Sequence, residues 1–94
     1  MKKALIVSNS SGLVSLFLKN DIELLLKNGY TVDVACNSNY PDKNTNEFFQ
    51  QYCNNIFNVP FPIRKLEPGL IFKSYIEISR ILKNGNYNLL HCHS

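Results

Sequence analysis

Residues able to bind a phosphate or a sugar follow the first apolar run of this 94-residue chain. Ser10, Ser11 and Gly12 come soon after the apolar residues 4–7 and lead into a helical pattern. Backbone amides and the dipole at a helix start favour a phosphate or a sugar hydroxyl. Serine also caps helices without any ligand, and the segment has neither a GxGxxG nor a Walker pattern. Ligand contact and a plain capping turn are therefore equal alternatives.

A His-Cys-His triplet at residues 91–93 is the second candidate for chemistry. In a strand, His91 and His93 share one face and Cys92 takes the other. Two histidines two residues apart, with no third or fourth ligand nearby, make a poor zinc site, so we expect no metal. We expect His93, at the strand end, to contact ligand and His91 to be a packed strand residue. Cys92 is expected to point into helix packing as an inert thiol.

Alternating strand and helix patterns indicate how these two segments are positioned. Strands are predicted at residues 3–8, 31–36, 56–61 and 87–92, and apolar helical patterns at residues 13–26, 44–52 and 70–82. Asn28-Gly29 is predicted to cap the end of the first helix, and the third helix is predicted to end in the same way at Asn84-Gly85. Four strands alternating with helices predict an α/β fold with a doubly wound parallel sheet, which is Rossmann-like. In such sheets the loops that follow the strands share one edge, so Gly12 and His93 are expected to lie on the same edge.

Charge and composition exclude several classes of function. A net charge of +3 with scattered lysines and arginines predicts no nucleic-acid partner. Arg64 and Lys65 follow the third strand and are candidates to face an anionic substrate, although solvated basic residues are the commoner case. Asp33 falls inside a strand and not at its end, which disfavours a nicotinamide enzyme.

Cysteine usage and the amino-terminal residues indicate the compartment. Three cysteines without a CxxC spacing predict reduced thiols. The first apolar stretch ends by Val7, too early for a signal peptide or a membrane span. We therefore expect a cytoplasmic protein. The chain stops directly after an apolar run, and we interpret residues 1–94 as one partial domain.

Three stretches of the chain carry a resemblance to a known family. They are residues 1–7 (MKKALIV), 26–36 (LKNGYTVDVAC) and 87–94 (YNLLHCHS). Together they resemble the amino-terminal domain of family 4 glycosyltransferases, which have the two-Rossmann-domain GT-B architecture. Residues 57–61 (FNVPF) and the His-Cys-His-Ser ending are similar to the bacterial branch that builds capsular and exopolysaccharides.

The resemblance implies a retaining transferase that moves a sugar from a nucleotide-sugar donor to a saccharide or lipid-linked acceptor. It implies that this chain is the acceptor-side domain, that the carboxy-terminal nucleotide-sugar domain is absent, and that the chain alone is inactive. Ser10, Ser11, Gly12 and His93 are then the substrate-binding candidates. The resemblance implies no metal and no cofactor beyond the donor substrate, and it assigns no catalytic base.

Several alternatives stay open at this point. Association with the inner face of the membrane and formation of homo-oligomers are compatible with the resemblance. A nucleotide-sugar 2-epimerase also begins with a strand, a polar loop and a helix. A non-enzymatic α/β binding module is the other rival, although such receiver-like modules carry acidic residues where this chain has Ser8 and Asn9.

Overall fold

The computed structural model describes residues 2–12, 14, 18–39, 45–62 and 67–93. Within these residues the chain forms four strands and three helices that alternate after the first strand. In chain order they are β1 (Lys2–Ser10), α1 (Lys19–Lys27), β2 (Tyr30–Asn37), α2 (Thr45–Tyr52), β3 (Ile56–Asn58), α3 (Pro68–Gly85) and β4 (Leu89–His93).

The four strands form one parallel sheet in the order β3-β2-β1-β4. The predicted α/β fold with a doubly wound parallel sheet is therefore confirmed. In the register of the sheet, Ile6 of β1 lies between Val34 of β2 and His91 of β4. The strand order reverses beside β1, because β2 and β3 follow on one side of it and β4 lies on the other. Sheets of this kind bind ligands at the carboxyl ends of the strands near such a reversal.

Each face of the sheet packs against helices, as the alternation of side chains requires. One face presents Ile6 and Val34 to buried residues that include Ile22 of α1 and Phe48 of α2. The other face presents Leu5 and Ala35, with Val59, to residues of α3 such as Ile78 and Ile81. The two faces together bury the core, and this burial fixes the position of the loops at the strand ends.

The segment between β1 and β2 departs from the predicted continuous helix. Ser11, Gly12 and Val14 are helical, Leu18 lies in a bend with φ −108° and ψ 8°, and α1 begins at Lys19. Val14, Leu18 and Ile22 nevertheless all enter the same core cluster. The spacing of four between these residues is helical, but the apolar pattern did not predict burial correctly at every position, because Leu24 belongs to it and is 61% exposed. The predicted glycine cap after this helix is confirmed by the positive φ of 86° at Gly29.

Two further elements have bounds that differ from the prediction. β3 ends at Asn58 and not at Phe61, because after the bond from the Val59 amide to the Cys36 carbonyl at 2.9 Å, the Phe61 amide donates back to the Val59 carbonyl at 2.8 Å and not to β2. α3 begins at Pro68, two residues before the predicted start. The predicted cap at Asn84-Gly85 is wrong, because both residues lie within the helix and the left-handed residue is Asn86, with φ 52°. Proline fits the first helical turn because its missing amide has no partner there.

A buried carboxylate ties β2 to the segment before β4. Asp33 is 2% exposed, and its Oδ2 accepts a hydrogen bond from the Tyr87 hydroxyl at 2.6 Å. The backbone amide of Asn55 donates to its Oδ1 at 3.0 Å. Desolvation and the bond to Asp33 raise the pKa of Tyr87. A Cβ at Gly85 would overlap the Tyr87 ring, so this glycine lets the ring reach Asp33.

Several large apolar side chains of α3 and β4 remain exposed. On α3, Phe72 is 66% exposed and Tyr75 is 71% exposed, and on β4 Leu90 is 47% exposed. β4 has β1 on one side and no described strand on its other side. No helix in the described part of the chain has the length and hydropathy that a membrane span needs.

The three cysteines differ in exposure, and this predicts a reactivity order. Burial raises the pKa of the Cys36 thiol to about 11 and that of Cys53 to about 12, the latter also through nearby Cys36 and Asp33. Cys92 is exposed. Because only the thiolate reacts, we expect Ellman's reagent at pH 8 to modify Cys92 at least tenfold faster than Cys36 or Cys53. Equal modification rates for all three thiols in the folded chain would contradict this prediction. The control is the chain unfolded in urea, in which the three thiols are expected to react at equal rates.

Candidate functional site

The carboxyl edge of the sheet holds the residues that the sequence singled out. β1 ends at Ser10, and Ser11 and Gly12 begin a helical turn directly after it. β4 ends at His93, whose backbone is in register with Ser8 of β1. The structure therefore places Ser10, Ser11, Gly12 and the backbone of His93 on one edge of the sheet, on neighbouring strands. Whether they bind ligand stays a prediction.

A cavity of about 290 Å³ opens at this edge. We call it the rim cavity. Ser11 contributes from the end of β1, Ser38 from the end of β2, and Thr45 and Asn46 from the first turn of α2. Phe49, Gln50 and Ile56 complete the lining. None of these seven residues carries a charge, so the rim cavity suits a neutral ligand rich in hydroxyl groups better than a diphosphate.

Ser11 is the buried polar group that points to a ligand here. The residue is 1% exposed, and among the described residues its Oγ has no hydrogen-bond partner. A buried hydroxyl without a partner costs about 1–3 kcal/mol. A ligand hydroxyl entering the rim cavity would supply the missing partner. This observation favours ligand contact over a plain capping turn at Ser11.

Hydrogen bonds between loops hold the β2 side of the cavity in place. The side-chain amide of Asn37 donates to the carbonyl of Phe61 at 3.0 Å, and its Oδ1 accepts from the amide of Asn39 at 3.1 Å. The Ser38 amide donates to Oδ1 of Asn58 at 3.1 Å. These bonds join the ends of β2 and β3, so Ser38 is positioned by the sheet itself.

The His-Cys-His triplet is only partly as predicted. Register places His91 on the face of Ile6, with Cys92 on the opposite face. His91 is half-buried, in accord with a packed strand residue. The predicted packing of Cys92 against a helix is wrong, because the thiol is exposed and no described helix covers this end of β4. The side chain of His93 lies outside the described residues.

Other candidates from the sequence lie away from this edge or outside the described residues. Asp33 is buried within β2, hydrogen-bonded to Tyr87, as its position inside the strand indicated. Arg64 and Lys65 lie outside the described residues. Within the described part of the chain, no group of three or more histidine, cysteine, aspartate or glutamate residues has a geometry suited to a metal ion.

Of the seven residues given for the rim cavity, the sequence singled out Ser11 as a site residue and missed the other six, among them the polar Ser38, Thr45 and Asn46. The loop after β2 was expected at the same edge, but the sequence gives no signal that α2 turns its first residues towards Ser11. That proximity is a tertiary contact between elements more than 30 residues apart in the chain.

Comparison with known proteins identifies one relationship. The model of a family described as glycosyl transferase 4-like matches residues 3–94. Searches of curated proteins and of solved structures returned no match. The matched residues include all four strands and both segments at the carboxyl edge of the sheet.

Proposed function

The chain belongs to the glycosyl transferase 4-like family, and from this premise we propose that it is the acceptor-side domain of a retaining glycosyltransferase. Family membership indicates a nucleotide-sugar donor and an acceptor as the substrate classes. We assign the acceptor to the rim cavity. The observation that carries this assignment is the buried Ser11 hydroxyl, which lacks a partner among the described residues and belongs to a residue that lines the rim cavity.

The donor is assigned to a second domain that residues 1–94 do not include. A nucleotide diphosphate is bound best by cationic side chains and helix amides, whereas the described residues that line the rim cavity include no lysine or arginine. The exposed apolar side chains of Phe72, Tyr75 and Leu90 also support a larger assembly, because a large exposed apolar surface often marks an interaction site.

The finer proposal is a role in cell-surface polysaccharide synthesis. It is supported by the resemblance of residues 57–61 and of the His-Cys-His-Ser ending to the capsular and exopolysaccharide branch. The acceptor is then a saccharide or a lipid-linked saccharide, and the enzyme works in the cytoplasm at the inner face of the membrane. His93, at the end of β4, is the residue we propose to contact the sugar beside Ser11.

A site-resolved titration tests the acceptor assignment. The ¹⁵N-labelled chain is titrated with cellobiose, lactose and N,N′-diacetylchitobiose, and separately with UDP-glucose. We expect at least one neutral disaccharide to shift the amide signals of Ser11, Ser38 and Asn46. We expect UDP-glucose to bind there no more tightly than the disaccharide, because the rim cavity offers no charge to the diphosphate.

Ser11→Ala is the matching variant. Loss of one hydrogen bond worth about 0.5–1.5 kcal/mol weakens disaccharide binding at the rim about 3- to 10-fold. Ser74→Ala is the control, because Ser74 is equally buried and its Oγ also lacks a partner among the described residues, but it lies on α3. Equal losses in both variants, or transfer of glucose from UDP-glucose by the 94-residue chain alone, would count against the proposal.

A further inference from the structure

A second and larger cavity lies towards the amino end of the sheet. Its volume is about 470 Å³, within the range of about 300–1,000 Å³ that is usual for small-molecule sites. The last two turns of α3 form one wall with Glu77, Arg80 and Asn84. Asn55, just before β3, and Tyr87, just before β4, form the opposite side. We call this the amino-end cavity; Ile56 is the one lining residue that it shares with the rim cavity.

Among the described residues, the positive and negative side chains that line the amino-end cavity are equal in number, and each already interacts with another protein group. Asp33 is bound by the Tyr87 hydroxyl and the Asn55 amide. Lys3 Nζ donates to the carbonyl of Gly85 at 2.6 Å and lies 4.9 Å from the centre of the Tyr87 ring. Arg80 and Glu77 form an ion pair at 3.4 Å. Among the described lining residues, two positive and two negative side chains leave no net charge to attract an anion.

The groups of this cavity that could still bind a ligand are neutral and polar. Within the described residues, the side-chain amides of Asn55 and Asn84 make no hydrogen bond, and each amide offers a donor and an acceptor. The ring of Tyr87 and the side chains of Phe57 and Ile81 supply apolar surface beside them. A sugar ring has the complementary chemistry, because its hydroxyl edge pairs with amides while its C–H face packs against an aromatic ring.

From this combination we propose that the amino-end cavity is a second saccharide-binding site that takes a neutral sugar unit. Asn55 and Asn84 bind the hydroxyl groups, and the Tyr87 ring, held by its bond to Asp33, packs against the sugar face. The proposal goes beyond the acceptor function of the rim, and it does not require that function. A nucleotide or another anion would gain nothing from this balanced lining.

The test reads the side-chain amide signals of Asn55 and Asn84 while the ¹⁵N-labelled chain is titrated with cellobiose, lactose and N,N′-diacetylchitobiose. UDP serves as the anionic comparison. We expect saturable shifts with at least one disaccharide at millimolar concentration, together with shifts of the Tyr87 backbone amide. UDP is expected to produce no saturable shift of these signals. The rim is followed at Ser11 and Ser38, so failure of one site is visible separately from failure of the other.

Variants separate this site from general surface binding. Asn84→Ala and Asn55→Ala are each expected to weaken the affinity measured at the Tyr87 amide at least fivefold. Asn20→Ala is the control, because Asn20 is an exposed asparagine on α1 outside the cavity. Absence of shifts with all three disaccharides at 50 mM would overturn the proposal. So would tighter binding of UDP than of any disaccharide, or an affinity unchanged by both cavity variants.

Discussion

Ile6→Ala is expected to lower the free energy of unfolding by about 3–4 kcal/mol, since removal of a fully buried isoleucine loses transfer free energy and leaves a cavity. Ile6 is 0% exposed at the centre of β1 and packs in the cluster that includes Val34 and Ile22. β1 also carries the segment that leads to Ser11, so its packing underlies the rim cavity. Urea denaturation followed by circular dichroism measures the change.

Leu90→Ala is the control for Ile6. Leu90 belongs to the neighbouring strand but is 47% exposed, so its truncation is expected to cost less than about 1 kcal/mol. Similar losses in the two variants would mean that the face of the sheet that carries Ile6 is not covered by α1 and α2 as described.

Asn46→Trp is expected to weaken disaccharide binding at the rim at least tenfold. Asn46 is exposed in the first turn of α2 and lines the rim cavity, so an indole at this position occupies a large share of the 290 Å³ space. Because the side chain is exposed, the substitution is expected to change the free energy of unfolding by less than about 0.5 kcal/mol. The affinity is measured from the amide shifts of Ser11 and Ser38.

Glu47→Trp is the matched control for Asn46. Glu47 is the next residue of α2, is also exposed, and does not line the rim cavity. It introduces the same indole without filling the space, so binding is expected to stay within twofold. If Asn46→Trp binds as well as the unchanged chain, or more tightly, the ligand does not occupy the rim cavity.

Most of the fold could be predicted from the sequence, because the local patterns of apolar and turn-forming residues agree with the observed strands and helices. Apolar runs end at polar, turn-forming segments, and each such end became the carboxyl end of a strand. Gly29 ends the first helical segment at the predicted place because its positive φ is accessible to glycine without strain. The edge shared by Gly12 and His93 followed from the strand alternation alone.

The features that could not be predicted from the sequence depend on contacts between elements that are distant in the chain. The bend at Leu18 is invisible in the apolar period, because Val14, Leu18 and Ile22 are buried on the same side with or without it. The exposure of Cys92 depends on which elements cover β4, and strand alternation cannot specify that. The contribution of Thr45 and Asn46 to the rim cavity likewise depends on where α2 packs.

Asp33 positions the Tyr87 side chain, a role that no sequence motif indicates. Its position inside β2 rules out the usual ribose contact, yet the carboxylate holds Tyr87 beside the amino-end cavity at 2.6 Å. Buried carboxylates are retained where their hydrogen bonds are satisfied. The same residue is therefore both a structural link between β2 and the segment before β4 and the support of a proposed binding surface.

Paramagnetic relaxation by a nitroxide-labelled disaccharide tests most directly whether the carboxyl edge of the sheet binds a saccharide. The probe is the cellobiose derivative with a nitroxide at its reducing end, added to the ¹⁵N-labelled chain, and unlabelled cellobiose serves as the competitor. We predict strong broadening of the amides of Ser10, Ser11, Gly12 and Ser38, which the competitor reverses and which Asn46→Trp abolishes. Unbroadened rim amides, with relaxation either absent or confined to the amino-end cavity, would contradict the assignment of the acceptor to the rim.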